Sequence, residues 1–600
     1  MRPESDGIGQ MWAELLVEEL VRHGVTTFFA SPGSRSTPLV VAAGRNARAT
    51  VHMHFDERGS AFMALGHARM TGRAAAWLTT SGTALANGHP AAVEARLERL
   101  PMILLTADRP PELRDTSANQ TIRQVGMFGE DVVWSFDMPV PTRAIAPSFV
   151  LTTVAEAVRR SADGPVHLNC MFREPLFDGD AERLPPHEPD ALAAWRAGSS
   201  PWTTLALPDA AAGLGAVRTH MKALFAASRR PLLLLGRMPV YGRAVLPTES
   251  QKGDRAPAAW PVLADIASQY RTLDLGAVGT PVIHYDAILH DRDRWSALAP
   301  DMVVQLGRPP VSKRWQQFLE ATRPGAVVVV DDAAQRIDPG HLVTHRFTAS
   351  PHALLAALAE EAPAFRVPAD MSWAARWAAL ERAARERIAG LLDGDTSSSH
   401  APLTEQGCVR TVIDAMGETR QPLVLGNSLP IRHADTFTRP MPARQAVVVN
   451  RGASGIDGQV STAIGAAQAT GARAVLLLGD LTLLHDLNAL AAARHVTIVV
   501  LNNDGGGIFS WLPVAAAEDV FTPLFATPHG FSFRAAADMF GLSYEAPESL
   551  SGVTEAVRRG MAADGGVLVE VRAQRAATID EQKDLLASVT RGLRAAVPLS

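Results

Sequence analysis

Apolar runs of strand length recur along this chain, and nearly all of them end in small or polar residues. TTFFAS (26–31), RAAAWLTT (73–80) and MILLTAD (102–108) come first, then PLLLLGR (231–237), MVVQLGR (302–308) and AVVVVDD (326–332). PLVLGN (422–427), QAVVVNRG (445–452), AVLLLGD (474–480), VTIVVLNND (496–504) and GVLVEVRA (566–573) complete the series. Continuous apolar runs bounded by turn residues predict strands buried on both faces. Stretches with helical spacing separate them, as LTLLHDLNALAAA (481–493) does, which predicts a crossover helix between two parallel strands. Alternating strands and helices predict an α/β protein built from doubly wound parallel sheets.

The runs fall into three blocks. They predict domains over 1–184, 203–370 and 403–600, joined by LPPHEPDALAAWRAGSSPW (184–202) and the flexible DGDTSSSHAP (393–402). TESQKGDRAPAAWP (248–261) reads as a surface insertion. Ser372 is placed to cap a helix on which Trp373, Trp377, Leu380, Ala384 and Ile388 share one face, the pattern of a helix packed on its own domain. The first and third blocks share a plan of strands with Gly- and Ser-rich tips, as two related domains would.

A chain of 600 residues is too long for one core, which agrees with several domains. A net charge of −5 argues against a nucleic-acid surface. No apolar run approaches the ~20 residues of a membrane span. The start, MRPESDGIGQMW, lacks the apolar segment of a secretion signal, so a cytoplasmic protein is expected. Two cysteines, Cys170 and Cys408, form no disulfide framework or metal spacing and read as small core residues.

The chemistry concentrates at two strand tips. Asp480 ends one apolar run and Asn502-Asn503 ends the next, with Gly505-Gly506-Gly507 directly after. Both tips fall at the carboxyl edge of one sheet, where open α/β sheets bind ligands. A carboxylate and a carboxamide are hard oxygen donors suited to Mg²⁺ that also carries phosphate oxygens, and glycines let backbone approach those phosphates. A polar turn is the plainer reading of either tip alone; the two together predict a site for a metal diphosphate. No GxxxxGK[ST] loop occurs, and Gly452-Ala453-Ser454-Gly455-Ile456-Asp457-Gly458 lacks dinucleotide spacing.

Gly479-Asp480 followed 23 positions later by Asn503 resembles the thiamine-diphosphate and metal motif of the transketolase and pyruvate-decarboxylase superfamily. That superfamily usually has Gly-Asp-Gly; here Leu481 stands in the last place, as in its menaquinone-pathway branch, the 2-succinyl-5-enolpyruvyl-6-hydroxy-3-cyclohexene-1-carboxylate synthases. SPGSRSTPL (31–39), HFDERG (54–59), TSGTALAN (80–87), LLTADRPPELRD (104–115), ANQTIRQVGMF (118–128), NRGASGIDG (450–458) and NNDGGGIFS (502–510) are similar to that branch too. The middle block agrees mainly at Lys313-Arg314.

The resemblance implies three domains of the thiamine-diphosphate-binding type, for the pyrimidine, a central role and the diphosphate in that order. It implies decarboxylation of 2-oxoglutarate and conjugate addition of the succinyl carbanion equivalent to isochorismate. Glu57 matches the catalytic carboxyl that meets the cofactor's pyrimidine. Asp480, Asn503 and the Gly505 carbonyl match the ligands of Mg²⁺ or Mn²⁺. Asn427, Ile456, Leu481, Thr482, Gly506, Ile508 and Phe509 would complete the cofactor site, with Leu512 near the reacting centre. Ser34, Arg35, Arg109, Gln120, Lys313 and Arg314 would hold isochorismate; Ser428, Arg432 and Arg451, with Asn427, would hold the part derived from 2-oxoglutarate. Two dianions call for several guanidinium and ammonium groups. A homodimer is the implied minimum, a homotetramer the implied assembly. His485 and His54 take no part in this chemistry; His485 reads as helix packing or a contact behind the site, His54 as a loop-orienting residue. Two alternatives stay open: another thiamine enzyme, such as an acetolactate synthase or 2-oxoacid decarboxylase, and a non-catalytic descendant of the fold.

Overall fold

The computed structural model describes residues 7–177, 190–206, 213–246, 260–272, 275–276, 278–333, 335–360, 370–393, 403–442 and 445–599. Among these residues, three six-stranded sheets follow one another in order. The first holds β1 (Thr27–Ala30), β2 (Thr50–Met53), β3 (Ala75–Thr79), β4 (Met102–Asp108), β5 (Trp134–Met138) and β6 (Val166–Met171). The second holds β7 (Pro231–Leu235), β8 (Pro261–Ala264), β9 (Thr280–Val282), β10 (Met302–Leu306), β11 (Ala326–Asp331) and β12 (His345–Thr348). The third holds β13 (Leu423–Leu425), β14 (Val447–Val449), β15 (Ala474–Gly479), β16 (Val496–Asn502), β17 (Ser543–Glu545) and β18 (Val567–Arg572). Every pairing between these strands is parallel.

Strand order explains where a site can form. The first sheet runs β2-β1-β3-β4-β6-β5 and the third β14-β13-β15-β16-β18-β17, the same order of connections in both. The second runs β12-β11-β10-β7-β8-β9, the doubly wound order with its first strand at the centre. In the first sheet the order reverses between β1 and β3, in the third between β13 and β15. A crevice opens at such a reversal, beyond the carboxyl ends of the strands. Ser34-Arg35 and Thr80-Ser81 follow the first pair; Asn427-Ser428 and Asp480 follow the second.

By packing the chain forms two compact units: 1–207 with 450–471 and 485–493, and 208–449 with 472–484 and 494–600. In the first, helix Glu57–Thr71 lies against helix Gln459–Thr470. Glycines permit the approach, since a Cβ on Gly66 would stand 2.2 Å from the Thr462 carbonyl oxygen and one on Gly465 2.0 Å from that of Met63. In the second, Trp373, Trp377, Leu380, Ala384 and Ile388 are buried along one face of helix Met371–Leu392, in one cluster with Leu585, Leu586, Val589 and Leu593 of the last helix, Arg575–Ala596.

Four expectations need correcting. The cap of helix Met371–Leu392 is Asp370, whose carboxylate accepts the Trp373 amide, rather than Ser372. The crossover before β16 is a six-residue α-helix, Asp480–His485, followed by a 3₁₀ helix, Leu487–Ala492. The first linker contains helix Asp190–Ala197, and its Leu192 and Trp195 join the first core because their spacing is helical. The insertion ends sooner than 261: Trp260 is buried and Pro261 opens β8. Residues 184–189, 248–259 and 394–402, the remainder of these segments, lie outside the described residues. Cys170 and Cys408 are both free and buried, as expected.

Candidate functional site

Asp480 begins a short helix directly after β15, and its carboxylate is buried. Oδ1 accepts the Leu481 amide at 2.7 Å; Oδ2 accepts the Gly505 amide at 2.8 Å and lies 3.1 Å from His529 Nε2. Burial pushes this carboxyl above its usual range, against the pull of those donors. Asn503, just beyond β16, is also buried. Its Nδ2 donates to Glu405 Oε1 at 2.6 Å, while Oδ1 has no partner among the described residues. The chain then turns sharply: Asp504 has φ +61° and Gly505 φ +122°, and a Cβ on Gly505 would stand 2.0 Å from the Ala526 carbonyl oxygen. The Gly505 carbonyl accepts from the Gly507 amide at 2.9 Å, and the Gly506 amide donates to Ala526 at 2.7 Å.

This donor set fits a hard divalent ion. An orphaned, buried amide oxygen and a carboxylate strained by burial both gain from a cation. Among the described residues no group of three or more His, Cys, Asp or Glu side chains could hold a metal, so the fit depends on amide and backbone oxygens. Thr482 is buried, and Leu481 is half-buried. Phe509 meets Phe525 edge-on, ring centres 5.8 Å apart.

Within the same unit a cavity of about 340 Å³ is lined by Lys313, Arg314, Arg432, Ile508 and Leu512, with Asp286 and Asp435. Three cations expected to serve two different substrates thus line one space. Lys313 and Arg314 open helix Lys313–Thr322, capped by Ser312. Asp286 is the counter-charge: its carboxylate accepts from Arg314 Nη1, Ser312 Oγ and Thr436 Oγ1. The Arg314 guanidinium leads the groups that hold the Asp286 carboxyl below its usual range against burial. Arg432 Nη1 donates to the Ser428 carbonyl, and burial lowers its pKa, with Asp286 acting against that. Ser428 itself has φ +74°, and Asn427 before it is buried.

In the first unit Glu57 is the first residue of helix Glu57–Thr71, half-buried, with Asn87 Nδ2 3.5 Å from its Oε2. The loop before it is fixed by His54, whose Nδ1 accepts the Asp56 amide at 3.0 Å, and by Asp56, which caps the helix through the Arg58 amide. His485 ends helix Asp480–His485 with its side chain exposed rather than packed, and its carbonyl accepts from Arg58. Arg35 is buried beside β1, with its amide donating to Thr80 Oγ1 and Nη1 to the Phe172 carbonyl. Arg109 donates to Ser81 Oγ, and Gln120 Nε2 to the Ser81 carbonyl at 2.9 Å. Burial, and next the charge of Arg35, lower the Arg109 pKa, so two guanidinium groups share this strand edge. Ser34 is exposed there. Arg451 and Ile456 lie on a loop held by Glu94, which accepts the Gly452 and Ala453 amides at 2.9 and 2.7 Å.

The sequence reading missed His529, Glu405, Asp286 and Glu94. None lies on a strand-tip motif: Glu94 holds its loop within the first unit, and the other three act within the second.

Family models match all three blocks: a thiamine pyrophosphate enzyme N-terminal TPP binding domain at 11–127, a middle domain of thiamine pyrophosphate enzymes at 189–404 and a C-terminal TPP binding domain at 432–571. A 2-succinyl-5-enolpyruvyl-6-hydroxy-3-cyclohexene-1-carboxylate synthase of Rubrobacter xylanophilus is 44% identical over 593 residues, 98% of this chain and 99% of that one. The protein of the same name from Salinibacter ruber is 40% identical, covering 97% of each chain. Among solved structures, the thiamine diphosphate-dependent 4-hydroxybenzoylformate decarboxylase of Rhodococcus jostii superposes with a TM-score of 0.67 at 18% identity, over 94% of this chain and 99% of that one.

Proposed function

The chain belongs to the 2-succinyl-5-enolpyruvyl-6-hydroxy-3-cyclohexene-1-carboxylate synthases, thiamine-diphosphate-dependent transferases, and we propose that it catalyses the reaction of that family in menaquinone biosynthesis. Decarboxylation of 2-oxoglutarate is followed by conjugate addition of the succinyl carbanion equivalent to isochorismate, giving the named product and CO₂. Identity of 44% across 98% of the chain carries this reading. The cationic cavity supports it, because a simple 2-oxoacid decarboxylase would have no need of Lys313, Arg314 and Arg432 together.

Thiamine diphosphate, when bound, supplies the carbanion chemistry. The remaining roles belong to side chains. Glu57 would hold a proton at the pyrimidine nitrogen. Asp480, Asn503 and the Gly505 carbonyl would hold Mg²⁺ or Mn²⁺, with Leu481, Thr482, Gly506, Ile508, Phe509, Asn427 and Ile456 around the cofactor. Ser34, Arg35, Arg109, Gln120, Lys313 and Arg314 would bind isochorismate. Ser428, Arg432 and Arg451 would bind the succinyl portion; their carboxylate partners favour forked guanidinium bonds. Domains of 1–184, 203–370 and 403–600 fit this division of labour. A homodimer is the smallest active unit, a homotetramer the assembly and the cytoplasm the location. Among the described residues no helix is long and apolar enough to cross a membrane.

One assay tests the reading. CO₂ release and product formation should require 2-oxoglutarate, isochorismate and thiamine diphosphate together. Full CO₂ release without isochorismate would make the protein a simple decarboxylase instead.

A further inference from the structure

An amide has two ends, and only its oxygen can ligate a cation. Something must therefore decide which end of Asn503 faces the metal. Its Nδ2 lies 2.6 Å from Glu405 Oε1, and Oδ1 is the end left without a partner among the described residues. A carboxylate accepts hydrogen bonds and donates none, so facing it with Oδ1 would set two acceptors against each other. The amide also lies close to the chain that follows it, since a Cβ on Gly507 would stand 2.7 Å from Asn503 Nδ2.

Glu405 is itself held in place. It is 1% exposed and is the first residue of helix Glu405–Met416, whose cap, Thr404, accepts the Gly407 amide at 3.0 Å. A helix N-terminus favours negative charge. On the far side, Glu405 Oε2 lies 3.4 Å from Nε2 of the fully buried His433. This carboxylate reaches Asn503 from a helix 98 residues earlier in the chain and from outside the loop that carries the donors.

We propose that Glu405 is a positioning residue that locks the Asn503 amide with its oxygen toward the divalent cation. The proposal rests on the reading that Asn503 is a metal ligand. Partners behind metal ligands typically contribute 10–100-fold to metal affinity.

The test is Mn²⁺ titration of the full-length protein with thiamine diphosphate present, followed by electron paramagnetic resonance. Glu405→Ala should weaken Mn²⁺ binding by about 10–100-fold. Glu405→Gln can still accept from Asn503 through its amide oxygen and should stay within severalfold of the native protein. The decisive comparison uses an Asn503→Asp background. There both side-chain ends are oxygens, no orientation has to be chosen, and Glu405 becomes a repelling neighbour. Glu405→Ala should then leave Mn²⁺ affinity unchanged or raise it. Equal weakening by Glu405→Ala in both backgrounds would mean that Glu405 only supports the helix, and would overturn the proposal. Native affinity in Glu405→Ala would overturn it too. Asn503→Ala separates the two levels: if it leaves Mn²⁺ affinity intact, the metal-site reading itself has failed, whereas loss in Asn503→Ala without loss in Glu405→Ala defeats the positioning role alone.

Discussion

Gly505 shows how far one position constrains the site. Its φ of +122° excludes side chains, and a Cβ there would stand 2.0 Å from a backbone oxygen that cannot move aside cheaply. Gly505→Ala should therefore displace the loop after Asn503, whose Gly505 amide donates to Asp480, and abolish thiamine diphosphate binding in a cofactor titration, while secondary structure by circular dichroism is retained. Asp286 acts through charge instead. It accepts from Arg314, Ser312 and Thr436 with one carboxylate, and so fixes Arg314 on the wall of the cavity. Asp286→Asn keeps the shape but frees the Arg314 guanidinium. The expected result is a KM for isochorismate raised by about tenfold, the order of one charge-assisted hydrogen bond, with a smaller change for 2-oxoglutarate. Equal changes in both would show that the cavity does not sort its substrates.

At the scale of elements, legibility followed unbroken apolar runs rather than burial alone: β6 (VHLNCM), interrupted by His167 and Asn169, and the four-residue β8 (PVLA) are fully buried yet carry no such run. β4 matches its apolar run residue for residue, because both faces of a central strand are covered. β2 (TVHM) and β12 (HRFT) were not legible: each is an edge strand, half-exposed, so no continuous apolar run marks it. The site divided along the same line. Asp480 and Asn503 announced themselves because strand tips place polar residues at abrupt ends of apolar runs, whereas His529 arrives from a loop 49 residues after Asp480 with no pattern of its own. Packing devices are equally silent in sequence. Gly66→Ala should push helix Glu57–Thr71 from helix Gln459–Thr470 and cost about 1–3 kcal/mol, read as a lower thermal midpoint. His167 on β6 gives an element-level pH effect. Burial lowers its pKa to about 4 from the usual 6.5, so the native protein resists a proton that the unfolded chain accepts. Stability from this group is whole above pH 6.5 and is lost as pH falls toward 4. Compared with His167→Gln, the native protein should lose about 2 kcal/mol of relative stability between pH 7.5 and pH 5, measured by parallel unfolding of the two proteins.

At the scale of the molecule, the first and third sheets share one strand order within a single chain, with Glu57 following β2 of the one and Asp480 following β15 of the other. The proposed homodimer makes each active centre from Glu57 of one subunit and the metal ligands of the other. That arrangement has a consequence that no single-chain site shares. Glu57→Gln and Asp480→Asn should each be inactive alone. Mixed at random during co-expression, half of the dimers contain one copy of each variant. In a two-fold dimer such a hybrid has one centre with both native groups and one with neither. Co-expression should then restore about one quarter of native turnover, scaled to equal protein. Activity that stays at the level of the separate variants, with hybrid dimers confirmed by differently tagged subunits, would place both groups of each centre in the same chain.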